Sequence, residues 1–258
     1  MCAGREILRA SRHSGRQIRK CKTSKPGYLG TLTANQKLII AIDGPAGAGK
    51  STIAARLARK LGYINLESGA MYRALALKAI RNDISFDDEP ALFALAQNSQ
   101  IRLEPTREGN RVFLDSVDVS QRIREQDVTS AASRVSIHPA VRQWMVARQR
   151  ELGVGGGVIM EGRDIGTRVF PDAEVKIFLD AHPEVRQERR ILQRTEKGGQ
   201  VEPQRIAAEL QERDLRDRTR VASPLFPAGD AIIIDSSHLS IDEVVDEVEE
   251  LVRKKLGN

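Results

Sequence analysis

Cysteine is nearly absent. The 258-residue chain has two, Cys2 and Cys21, both close to its start. A pair so placed builds neither a disulfide framework nor a Cys/His metal cluster in the body of the chain, and the expected compartment is the cytoplasm. Aromatic residues make up only 4%, which removes the stacking platforms that single-stranded nucleic acid needs. No apolar run approaches the ~18 residues of a membrane span, so no membrane association is expected. His13, His138, His182 and His238 lack metal-site spacing. There is no internal repeat and no Asn-Lys-x-Asp guanine motif. What remains is globular in composition, 40% hydrophobic and 29% charged, with a length that allows one large domain or one domain with a substantial insertion.

The net charge is +6. Part of it comes from residues 1–36, where Arg5, Arg9, Arg12, Arg16, Arg19, Lys20, Lys22 and Lys25 face the single acid Glu6. The expectation there is a disordered basic extension. An Arg/Ser-rich transit peptide, a nucleic-acid arm and a mis-set start codon are the other readings. The rest of the excess lies in arginine clusters, which suit nucleic acid but suit a small polyanion equally well.

The strongest stretch is Gly44-Pro45-Ala46-Gly47-Ala48-Gly49-Lys50-Ser51. It follows the apolar run Leu38–Ile42 and precedes the helical pattern Thr52–Ala58. This is G-x-x-x-x-G-K-[ST] between a strand and a helix, the phosphate-binding P-loop in its required context. Glycines let backbone N–H groups turn onto a phosphate, and the helix N-terminus adds its positive dipole end. Gly44 through Thr52 are the expected ATP-phosphate contacts. Lys50 would reach the β- and γ-phosphates, and the Ser51 hydroxyl would sit on Mg²⁺.

The pattern around the loop predicts an α/β fold. Strands are expected at 37–43, 63–66, 158–161, 175–180 and 231–235, alternating with helices as in a parallel sheet. The first helix, 50–61, should end at Gly62, and Ser68 should cap a second helix running to about Arg81. Residues 84–153 break the alternation. They read as a helix at Glu89–Gln97, a hairpin turning at Glu108-Gly109-Asn110, and two more helices, hence a small α+β insertion. The core is then 37–83 with 154–258. A terminal helix is expected at Ile241–Leu256.

Phosphoryl transfer needs positioning and charge neutralisation more than acid–base groups. Arg186, Arg189, Arg190 and Arg194, then Arg213, Arg216, Arg218 and Arg220, bracket the loop Lys197-Gly198-Gly199. Two such helices over about 186–220 read as a lid closing on phosphates. Arg163-Asp164 stands just past a strand's carboxyl end, where open α/β sheets bind ligands. Asp180 and Asp235 each close an apolar strand and are candidates for a metal-supporting acid.

Taken together, the P-loop, Glu67-Ser68-Gly69-Ala70-Met71-Tyr72-Arg73, Ala131-Ala132-Ser133, Val141-Arg142, Gly162-Arg163-Asp164-Ile165-Gly166-Thr167, Arg213–Arg218 and Ser223-Pro224-Leu225 resemble the bacterial-type cytidylate kinase family over about 37–256. The resemblance implies γ-phosphoryl transfer from ATP to CMP or dCMP. It also implies a P-loop nucleoside-monophosphate-kinase fold with a five-stranded parallel sheet, a lid and a monophosphate-binding insertion. By the same resemblance Ser133, Arg142 and Asp164 would address the cytosine. Arg73, Arg163 and Arg220 would hold the acceptor phosphate, and Arg213 and Asp217 the ribose. Ser68 and Tyr72 would line the pocket. Arg189, Arg190 and Arg216 would be lid arginines, with Arg189 and Arg216 joining Lys50 in catalysis. A monomer is what the family suggests. Glu161 departs from the family pattern, which usually has Asp before Gly-Arg-Asp. The competing reading is a nucleic-acid-binding NTPase gripping through its basic arm.

Overall fold

The computed structural model describes residues 37–106, 109–196 and 201–257. The basic extension at 1–36, Glu108 of the expected turn and the Lys197-Gly198-Gly199 loop lie outside the described residues. In chain order the elements are β1 (Ile39–Asp43), α1 (Lys50–Leu61), β2 (Ile64–Glu67), α2 (Ser68–Arg81), α3 (Glu89–Gln97), β3 (Ile101–Thr106), β4 (Gly109–Leu114), β5 (Val117–Asp118), α4 (Gln126–Val135) and α5 (Pro139–Gly153). They continue with β6 (Val158–Gly162), β7 (Val175–Asp180), α6 (Pro183–Thr195), α7 (Pro203–Thr219), β8 (Ile232–Asp235) and α8 (Ile241–Leu256). A 3₁₀ turn at Arg122–Arg124 and a π-helical turn at Ile165–Val169 complete the set.

Five strands form one sheet in the order β2-β6-β1-β7-β8, and every neighbouring pair is parallel. Alternation along the strands divides the apolar side chains between two cores. Ile40, Ile42, Ile159, Val175, Ile177 and Leu179 pack on one face with Ile53 and Leu57 of α1 and Val244, Val248 and Val252 of α8. Ala41, Leu66, Val158 and Met160 face the other way. They meet Met71 and Leu75 of α2 and, beyond it, Val128, Val135, Val141 and Met145 of α4 and α5. The stretch 84–153 adds no strand to this sheet. It forms a separate antiparallel sheet, β3-β4-β5, and shares a core with α2.

Local chemistry sets most helix ends. α1 buries Lys50, Ile53, Ala54, Leu57 and Ala58, a helical stripe. Its C-terminus is closed by Gly62 in the left-handed region, φ 66°. Ser240 and Glu243 make a reciprocal capping box at α8. Two expectations differ. Ser68 is the first residue of α2 and not its cap; its Oγ turns away from the helix N–H groups and donates to the Glu161 carbonyl at 2.7 Å. Asn110 lies inside β4 with a buried side chain, because the β3–β4 ladder continues to Thr106 opposite Gly109.

Parallel registry gathers the loops at one edge of the sheet. Asp43 lies beside Gly162 and Phe178, and Glu67 beside Glu161. The P-loop, the Gly162–Asp164 turn and the start of α2 therefore open onto one crevice, at the carboxyl ends of the strands.

Gly44 has φ 146°, and a Cβ there would sit 1.9 Å from the Leu179 carbonyl oxygen. Gly62 also has positive φ but faces open space. Gly44→Ala should therefore cost about 3 kcal/mol or more, through displacement of the β7 backbone. Gly62→Ala should cost only the left-handed backbone term, about 1–2 kcal/mol. Urea denaturation of the two variants checks the difference.

Candidate active site

The crevice is a cavity of about 650 Å³ lined by the P-loop, the start of α2, the α4–α5 region, the Gly162–Asp164 turn, α6, α7 and the start of α8. That volume is in the range of sites for small organic ligands.

On the P-loop side, Ala46 through Ile53 line the cavity. Gly44 and Pro45 stand behind it, the first against β7 and the second turning its carbonyl to Lys50 Nζ at 2.6 Å. Gly49, in the left-handed region, opens α1 toward the cavity. Burial, and then the nearby Arg163 guanidinium, push the Lys50 ammonium down to about 7. The Ser51 hydroxyl donates to the Glu161 carboxylate. Burial, then the neighbouring Glu67 carboxylate, raise Glu161 above the usual range. Glu67 itself is held low: burial acts upward, but its partner Arg73 outweighs it.

Arg186 is buried beneath the loop. It donates to the Ala46 carbonyl at 3.1 Å and the Ala181 carbonyl at 2.9 Å, and pairs with Asp214 of α7. Arg189 reaches the Ser236 Oγ at 3.0 Å, the Ser236 carbonyl at 2.6 Å and the Ala48 carbonyl at 3.4 Å. Arg190 and Arg213 also line the cavity. Arg216 does not. Its guanidinium donates to Ser133 Oγ at 2.8 Å and pairs with Glu212.

Facing the loop is a second group. Arg163 pairs with Asp217 at 2.8 Å, and Arg220 with the same carboxylate at 3.4 Å. Asp164 pairs with Arg142 at 2.6 Å, both side chains almost fully buried. The Arg142 guanidinium lies 5.3 Å from the centre of the Tyr72 ring. Arg73 pairs with Glu67 at 2.6 Å. Ser68 and Ser133 complete the wall.

The charges are out of balance. Asp217 is pulled down to about 2, burial being outweighed by Arg163, Arg213 and Arg220. Burial, then Arg163, Arg73 and Arg190, push Arg213 down to about 10. Burial pushes the Tyr72 phenol up to about 12. Five buried polar atoms along the cavity have no hydrogen-bond partner among the described residues: Tyr72 Oη, Arg73 Nε, Arg142 Nε, Arg213 Nε and Arg220 Nη2. An unsatisfied buried polar group of this kind costs about 1–3 kcal/mol, and four of these five are cationic donors. The cavity has the composition of a polyanion site.

The strand-ending acids fall elsewhere. Asp180 accepts from the Ala181 N–H at 2.9 Å and Asp235 from the Ser237 N–H at 2.9 Å. Both close local turns, and Glu161 is the acid beside the P-loop serine. Glu67, Arg124 and Ser236 also line the cavity, and Asp43 lies beneath it. The Asp43 carboxylate accepts from Ile165 N–H and Gly166 N–H, both at 2.8 Å, and burial raises it to about 6. A strand-ending acid directly before a P-loop is the signal that could have marked Asp43. Nothing in residue type marks Ser236.

The family model described as "Cytidylate kinase" matches residues 40–254. A cytidylate kinase of Geobacillus sp. (strain WCH70) is 48% identical over 84% of this chain and 97% of its own length. That of Pelotomaculum thermopropionicum is 52% identical over 80% and 92%, and that of Enterococcus faecalis 48% over 85% and 97%. With the P-loop crevice and a parallel sheet of order β2-β6-β1-β7-β8, these matches establish that the chain belongs to the cytidylate kinase family, phosphotransferases acting on CMP and dCMP.

Proposed function

We propose that the crevice holds two nucleotides and transfers the γ-phosphoryl group of ATP directly between them. What carries this reading is that Arg73, Arg142, Arg213 and Arg220 line one crevice with the P-loop, each with a buried guanidinium nitrogen that has no partner among the described residues. The P-loop N–H groups and Lys50 take the ATP phosphates. Arg73, Arg163 and Arg220 take the acceptor phosphate. A phosphate oxygen of CMP is already anionic, so it attacks the γ-phosphorus without a catalytic base. The bond from that phosphorus to the β,γ-bridging oxygen breaks, giving CDP and ADP.

Ser51 and Glu161 would hold Mg²⁺, with Glu67 alongside. A hydroxyl and a carboxylate are hard oxygen donors of the kind Mg²⁺ takes together with substrate phosphates. When bound, the ion neutralises charge on the β- and γ-phosphates. Among the lid arginines, Arg189 and Arg190 line the cavity and are placed to meet the transferred group, while Arg213 and Asp217 take the ribose. Arg189 anchors the P-loop to Ser236, and Arg216 acts through Ser133. Residues 84–153 serve as the monophosphate-binding insertion, to which Ser133 and Arg142 belong. The stretch about 186–220 serves as the lid that excludes water. The enzyme is read as a cytoplasmic monomer.

The base is recognised by Asp164, Ser133 and Arg142. Cytosine offers an exocyclic amine to a carboxylate and a carbonyl to a guanidinium. Uracil would set its own carbonyl against Asp164 and leave an acceptor unpaired, a mismatch of about 1–3 kcal/mol.

Two outcomes test this reading. ADP release should depend on CMP or dCMP and be low with AMP, GMP or thymidylate; turnover that is the same with and without CMP would contradict it. Asp164→Ala would strand the buried Arg142 charge at a cost of about 3–5 kcal/mol, so Asp164→Asn is the informative variant. Its amide can donate to uracil. The preference for CMP over UMP in kcat/KM should fall by about tenfold or more, with KM for ATP little changed.

A further inference from the structure

The five-stranded sheet ends at β2, and a sheet edge carries N–H and C=O groups in need of partners. On β2 two of these groups are answered by a single side chain. Asn110 Nδ2 donates to the Asn65 carbonyl at 2.7 Å, and Asn110 Oδ1 accepts from the Glu67 N–H at 2.9 Å. A residue of a parallel neighbouring strand would bond in the same way astride Leu66. The carboxamide thus replaces one peptide unit of a missing strand. It is 6% exposed, so water does not compete for either bond. It is carried by β4, whose backbone is fixed by pairing with β3 and β5.

The clamp closes on a residue that matters. Glu67 is the last residue of β2 and flanks the start of α2. Its carboxylate pairs with Arg73 at 2.6 Å; Arg73 lines the cavity, and its buried Nε has no partner among the described residues. Asn110 does not line the cavity; it reaches it through Glu67 and Arg73.

We propose that Asn110 is a positioning residue for the acceptor pocket, holding the end of β2 so that the Glu67–Arg73 pair presents Arg73 to the acceptor phosphate. This rests on the reading of Arg73 as a phosphate ligand given above. The chemistry explains the residue type. A short amide side chain offers an adjacent donor and acceptor on one planar group, and glutamine, a methylene longer, would overshoot the edge. The insertion hairpin is thereby coupled to the monophosphate side of the crevice. The P-loop follows β1, two strands away from β2 across β6, and the ATP side enters only through the Glu67 carboxylate, which keeps its place in both Asn110 variants only if Arg73 holds it.

A double-mutant cycle with Asn110→Ala and Arg73→Gln, read as KM for CMP and for ATP, tests the assignment. Asn110→Ala should raise KM for CMP about tenfold and leave KM for ATP within about twofold. In the Arg73→Gln background it should add less than about twofold, because its effect passes through Arg73. An equal rise for both substrates, or full additivity with Arg73→Gln, would overturn the proposal and leave Asn110 an ordinary hairpin anchor. An unchanged KM for CMP in Arg73→Gln alone would instead overturn the reading of Arg73. If Asn110→Ala does not fold, Asn110→Asp keeps the size and the acceptor while removing the donor, and is read by the same criteria.

Discussion

The Asp43 carboxylate, with both oxygens on successive backbone N–H groups of the Ile165–Gly166 turn, is the contact on which the arrangement of the crevice depends. Asp43 is the residue before the P-loop, and the turn it grips follows Arg163-Asp164 directly. One buried side chain therefore fixes the distance between the two halves of the site. Strand registry brings them near, since Asp43 and Gly162 are neighbours across β1 and β6. The carboxylate then sets their orientation. This is preorganisation of the kind that phosphoryl transfer requires, where alignment supplies much of what catalysis needs.

Around that fixed frame the charges are left unsatisfied. Arg163, Arg213 and Arg220 share one carboxylate, Asp217. Arg213 is depressed by burial and by its cationic neighbours. In a protein interior such crowding destabilises the empty protein, and bound anions relieve it. On the P-loop side the imbalance has the opposite sign, with the Glu161 and Glu67 carboxylates adjacent across β6 and β2. In the proposed reading, a cation and two sets of phosphates complete one electrostatic pattern, and the protein alone holds only its template.

Much of the fold was legible because local chemistry wrote it. Gly62 marks the end of α1 by an interaction within a few residues, and the apolar spacing of Val244, Val245, Val248 and Val252 marks the buried face of α8. What was not legible depended on strand order and registry. Asp180 and Asp235 end their strands and Glu161 stands one residue before the end of β6, and only the pairing of β6 with β2 and β1 brings Glu161 to Ser51. The sequence marks Ser68 as a cap because its true partner, the Glu161 carbonyl, is 93 residues away. Arg213 and Arg216 are three residues apart on α7, and the type alone does not say that one lines the cavity while the other meets Ser133. Asn110 looked like a turn residue, since nothing in the sequence shows that a sheet edge lies within its reach.

Arg186 has a mechanical consequence. A single guanidinium is shared by the Ala46 carbonyl of the P-loop, the Ala181 carbonyl at the foot of α6 and Asp214 of α7. Three elements thus meet at one pinned joint. Arg190 lies only about 6 Å farther along the helix from that joint. The charges that α6 carries over the P-loop are therefore held in place by the same side chain that ties α6 to α7.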